Sequence, residues 1–132
     1  MTPFADGGPY QVQLTYNFPD ISTVESNRGV ATIGPSLEFS DGHGSGIFSV
    51  NLRLRKMIIT YLVFSGWNSD ATFNGPVFTL LTSGANLPQP AYFISSTINT
   101  SLMTLTSTPT TIALNWKDVQ SFGPSDKIVI GW

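Results

Sequence analysis

Apolar residues recur along this chain in short runs bounded by Gly, Pro, Asn or Ser, some continuous and some alternating with polar residues. Tyr10, Val12, Leu14 and Tyr16 alternate with Gln11, Gln13 and Thr15, the period-two pattern of a strand with one face on a core and one in water. Residues 57–64 are apolar on both faces apart from Thr60, which predicts a strand in the middle of a packed sheet. Turn formers at short intervals predict further strands over 29–34, 36–40, 47–54, 77–81, 92–98, 102–106, 110–117 and 127–131. The segments 22–28, 65–74 and 82–91 read as loops, 55–56 as a hairpin turn and 118–122 as the one short helical turn. The expected fold is all-β, an antiparallel β-sandwich (jelly-roll or immunoglobulin-like) of about nine or ten strands. Its expected core is Leu14, Ile33, Phe39, Leu52, Ile59, Tyr61, Val63, Phe78, Leu114, Trp116 and Ile128.

Residues 1–9 read as a flexible leader, because Gly7-Gly8-Pro9 continues neither a helix nor a central strand; 10–132 then form a single domain. Asp41-Gly42-His43-Gly44-Ser45-Gly46 reads as a long flexible connection. A chain of 132 residues buries enough surface to stand without metal or disulfide staples, and the absence of Cys excludes thiol chemistry and Cys-based zinc sites.

Only 11% of the residues are charged, so the surface relies on Ser, Thr and Asn, as in secreted sandwich modules. An extracellular or cell-surface location is the expectation. The net charge of −2 argues against nucleic acid, which needs a basic stripe; Arg53, Arg55 and Lys56 read as a solvated face ending in a hairpin. No run reaches the length of a membrane-spanning helix, and the first residues lack the basic start and apolar core of a secretory signal, so export is expected to use a signal outside this sequence or another route.

Candidate chemistry is sparse. His43 is the single histidine, set between glycines where nothing in the sequence holds its ring against a nucleophile. The eight carboxylates are scattered, mostly beside turn formers, and no spacing demands a paired-carboxylate site. No catalytic residue is therefore expected. Calcium is the more credible ion, with Asn68, Asp70 and Asn74 as one oxygen-donor set, although Asn-x-Asp is also ordinary turn chemistry. Of three tryptophans, Trp116 shares a face with Ile112 and Leu114 and is expected in the core. Trp67 lies in a polar loop with Asn68 and Asp70, which makes these residues the carbohydrate-contact set; burial of Trp67 as a loop plug is the competing expectation. Glu38 either reaches a backbone donor at a sheet edge or points outward, and the sequon Asn99-Thr100-Ser101 is assigned no function.

The order Val30-Ala31-Thr32-Ile33-Gly34-Pro35, Glu38-Phe39-Ser40, Gly66-Trp67, Phe73-Asn74-Gly75 with Val77-Phe78, Ile112-Ala113-Leu114-Asn115-Trp116 and Asp126-Lys127-Ile128-Val129-Ile130 resembles the β-rich domain of bacterial PEP-CTERM-type surface proteins. The resemblance spans three quarters of the chain and implies an exported, non-enzymatic surface or matrix module. Residues 1–132 lack the Pro-Glu-Pro motif, apolar anchor and basic tail of that family, so anchoring is not expected from them.

The function expected is a non-catalytic structural or interaction module, with a polysaccharide-binding module using Trp67 as the alternative. With few Lys or Arg to guard sheet edges, strands at 10–16 or 127–132 are expected to pair with other copies, giving a homo-oligomer or filament, with the leader available for strand addition.

Overall fold

The computed structural model describes residues 2–3, 10–33, 37–53 and 55–132, the first two by backbone alone. Two antiparallel sheets make a β-sandwich. The larger, five-stranded sheet holds β2 (Gln11–Asn17), β3 (Val24–Thr32), β6 (Gly75–Leu80), β9 (Thr104–Thr108) and β10 (Thr111–Asn115) in the order β3-β2-β6-β10-β9. The smaller holds β4 (Phe48–Arg53), β5 (Lys56–Tyr61), β8 (Tyr92–Ser96) and β11 (Lys127–Gly131) in the order β4-β5-β11-β8. A short parallel pair joins β1 (Thr2–Pro3) to β7 (Ala85–Asn86). Met1 and residues 4–9, the rest of the expected leader, lie outside the described residues, as do 34–36 and Leu54.

Alternation decides which side chains meet between the sheets. Val12, Leu14 and Tyr16 of β2, Phe78 and Leu80 of β6, and Ile112 and Leu114 of β10 face Phe48, Val50 and Leu52 of β4, Met57, Ile59 and Tyr61 of β5, and Ile128 and Ile130 of β11, all buried. Burying each such side chain stabilises the fold by about 1.5–3 kcal/mol, enough in sum to organise the sandwich without other staples. The hairpin between β4 and β5 turns at Arg55, whose φ of 54° lies in the left-handed region.

Several expectations change. The strand over 57–64 stops at Tyr61: the Leu62 N–H still bonds to the Ile47 carbonyl just before β4, but the chain then bends at 63–64, and Val63 (39% exposed) and Phe64 (84%) leave the core. From Val24 on, the 22–28 loop is instead the first part of β3; as an edge strand over two register shifts it does not need an apolar alternation, so its polar residues hid it. The 36–40 strand reduces to one bridge between Phe39 and Val50. No helix forms at 118–122; the single 3-10 turn among the described residues is Thr100–Leu102, with the Asn99 side chain accepting the Ser101 N–H.

The edge strands differ as well. β2 lies between β3 and β6, and β11 between β5 and β8, so neither the 10–16 nor the 127–132 segment is an edge. The edges are β3, β9, β4 and β8. The error has a physical source: a terminal segment is not peripheral when strands from elsewhere in the chain pair on both its sides, later ones beside β2 and earlier ones beside β11.

Candidate functional site

At the end of the sandwich where β2, β5 and β10 finish, an aromatic cluster fills the gap between the sheets. Trp116, just beyond β10, stacks on Trp67 with ring centroids 5.2 Å apart and planes 8° apart. Tyr61 stacks on Phe122 at 3.9 Å, and Phe48 meets Trp116 edge-on at 5.0 Å. The polar tips of these rings pair inside the cluster, as buried indole and phenol groups must. The Trp116 Nε1–H donates to the Tyr16 hydroxyl at 2.7 Å, which donates in turn to Asn74 Oδ1 at 2.6 Å, and the Trp67 Nε1–H donates to the Tyr61 hydroxyl at 3.1 Å. Burial, only partly offset by the indole donors, raises both tyrosine hydroxyls well above the usual phenol range.

Trp67 is therefore the loop plug: it is 9% exposed, packed between Trp116 and the rings of Tyr16 and Phe122. Its backbone N–H bonds to the Val119 carbonyl, and neighbouring Gly66 lies so close to the Gln120 carbonyl that a Cβ there would overlap it. The other loop residues are engaged with each other. Asn68 Oδ1 accepts the Asp70 N–H in a local turn, and its backbone carbonyl accepts from Asn74 Nδ2. Asn74 is buried, with Oδ1 committed to Tyr16, while Asp70 is exposed. The calcium set thus has one oxygen held inside the aromatic network and another held in a turn. Among the described residues, no group of three or more His, Asp or Glu side chains is placed to hold a metal ion.

His43 departs from the flexible position its glycine neighbours suggest. Asp41 Oδ1 accepts the N–H groups of His43 and Gly44, closing the loop, while Gly42 passes so near the Phe48 ring that no side chain fits there. Desolvation pulls the Asp41 carboxyl upward, but the N–H groups of Gly44, His43 and Gly46 and the nearby Arg28 outweigh it and hold the group below its ordinary value. The imidazole is thereby laid edge-on to Tyr16 at 4.4 Å, and Nε2 meets Glu25 Oε1 at 3.0 Å. Glycine here allows close packing; it does not mark freedom.

Phe18, Glu25, His43, Gly66, Trp67, Asn68 and Asn74 line an open depression of ≈ 280 Å³. It offers a carboxylate, an imidazole and amides around the rim of a buried indole, and no hydroxyl or thiol nucleophile. At the opposite end, a cleft among Val12, Leu52, Phe78, Leu87 and Trp132 has room for only ≈ 20 Å³, about one water.

The sandwich also has an unusual surface. No Asp, Glu, Lys, Arg or His occurs from 71 to 116, a stretch that includes β6, β8, β9 and β10. Across the outer face of the five-stranded sheet, one row runs Thr108, Thr111, Thr79, Gln13, Val30 and the next Thr106, Ala113, Val77, Thr15, Asn27. Hydroxyls, amides and small apolar groups cover the face without charge. Composition gave no sign of where the few charges would fall; their absence from this stretch was the available signal.

Comparison with protein-family models, with curated proteins and with solved structures finds no match. The class that the structure defines is an all-β, two-sheet antiparallel sandwich.

Proposed function

We propose that the protein is a non-catalytic structural or interaction module of the extracellular space or cell surface, self-assembling through a sheet edge. The observation that carries this reading is a regular, charge-free edge strand beside an uncharged sheet face, a combination that soluble monomers usually avoid by placing Lys, Pro or bulges on their edges. The resemblance to PEP-CTERM-type surface domains points the same way. Light scattering across a concentration series tests it: mass rising with concentration is expected, and a strict monomer at high micromolar concentration overturns it.

The polysaccharide reading has one observation in its favour, the depression beside Trp67. A sugar there would meet Glu25, His43 and Asn68 at the rim, since the Trp67 faces are covered. Binding on a glycan array that falls with Glu25→Gln and Asn68→Ala would establish it. Trp67→Ala is the weaker test because it also removes part of the core.

A further inference from the structure

The four sheet edges are not equally open. β4 is covered: Phe39 and Val50 exchange both backbone hydrogen bonds, Gly42 N–H bonds to the Phe48 carbonyl, and Leu52 N–H bonds to Glu38 Oε1. β3 carries Glu25 and Arg28 and two register shifts. β8 is broken by a register shift against β11 between Val129 and Ile130. Only β9 is regular, paired in unbroken register with β10 on one side, and free of charge. Residues 87–91 run beside its 107–109 end, where the Ala91 N–H bonds to the Ser107 hydroxyl and the Leu87 N–H to the Pro109 carbonyl, without taking the backbone groups of Leu105 or Ser107.

The ladder shows which backbone groups β9 leaves open. Leu80 N–H bonds to the Thr110 carbonyl and Trp116 N–H to the Asn74 carbonyl, so even-numbered residues of β10 point their backbone groups at β6. Antiparallel ladders alternate, so Thr111, Ala113 and Asn115 point theirs at Thr108, Thr106 and Thr104 of β9. The N–H and C=O of Leu105 and Ser107 consequently face away from the sheet.

We propose that this edge takes the β9 strand of a second copy, antiparallel, about a two-fold axis at Thr106; the proposal rests on the self-assembly reading above. In that register Leu105 lies opposite Ser107 of the other copy, and Ser107 opposite its Leu105, so all four outward backbone groups on each chain find partners. Thr106 faces Thr106 and Thr104 faces Thr108 on the exposed side, cross-strand Thr pairs of the kind that favour association. Charge selects the occupant. An isologous contact sets each residue near its own copy, so it requires a segment without like charges, which 71–116 supplies; a charged partner would require an opposite charge that β9 and its neighbours do not offer.

The test compares the full chain with Thr106→Lys, which places a charge against itself on the axis, and with Thr79→Lys, which adds the same charge to the same face two strands inward. Neither touches the backbone ladder, and circular dichroism checks that both are folded. Sedimentation is expected to show the intact protein associating, Thr106→Lys weakened by about tenfold or more, and Thr79→Lys nearly unchanged. Hydrogen exchange at the Leu105 and Ser107 amides of the intact protein should slow as concentration rises. Association that ignores Thr106→Lys, or protection that rises at β8 or β3 instead, overturns the β9 pairing while leaving self-assembly standing. A monomer with unchanged exchange at every concentration overturns both.

Discussion

Trp67 and Trp116 lie with ring planes 8° apart and centroids 5.2 Å apart, one carried by the loop after β5 and the other by the end of β10. The pair ties the smaller sheet's loop to the larger sheet, and through the Tyr61 and Tyr16 hydroxyls both indole N–H groups are satisfied. The depression at this end of the molecule is a surface built over a rigid aromatic base.

Trp67→Ala should cost about 3–5 kcal/mol, because the indole is enclosed by rings that cannot collapse into its place. Urea denaturation followed by fluorescence of the remaining tryptophans measures it. A loss under about 1 kcal/mol would mean that the loop does not hold the indole in the core.

Tyr16→Phe removes the hydroxyl between Trp116 and Asn74 while keeping the ring. Two buried partners then lose their hydrogen bonds, and a destabilisation of about 1–3 kcal/mol is expected by chemical denaturation. Asn74→Ala in the same background should cost less than in the wild type, since the two substitutions break the same network.

Alkaline pH should unfold the protein. Burial raises the Tyr16 and Tyr61 hydroxyls above their ordinary value of 10.0, so the folded state holds these protons more tightly than the unfolded chain. Their contribution to stability is complete below that value and is lost as pH rises beyond it. Ultraviolet titration should show these two phenols ionising only together with loss of the folded circular dichroism signal. Ionisation of all four tyrosines while the fold persists would contradict this.

Asp41 acts in the opposite direction. Its carboxyl is held below the ordinary 3.8, so the stability it contributes is present above that value and is lost as pH falls through its lowered native value. Asp41→Asn should cost about 1 kcal/mol at neutral pH and flatten the acid limb of the stability curve. It should also loosen the loop that lays His43 against Tyr16, visible as a change in the His43 imidazole resonances. Unchanged resonances would show that ring packing alone positions His43.

Much of the sandwich was legible in the sequence because period-two alternation is a local property: Val12, Leu14 and Tyr16 announce an inner face wherever their strand is placed, and Ile112, Leu114 and Trp116 do the same. Turn chemistry was equally local, as at Arg55, and so was the option of Glu38 capping a backbone donor, which it does at Leu52. The sequence could not place β3, whose polar edge carries no alternation, nor end β5 at Tyr61, since the apolar run continues to Phe64. It could not distinguish an interior strand from an edge, because neighbours in a sheet are set by long-range pairing that no short window contains. For the same reason Trp67 looked like an open contact and His43 like a free one. Their neighbours Trp116, Tyr16 and Glu25 are remote in sequence, and only the closing of the two sheets brought those rings and charges together.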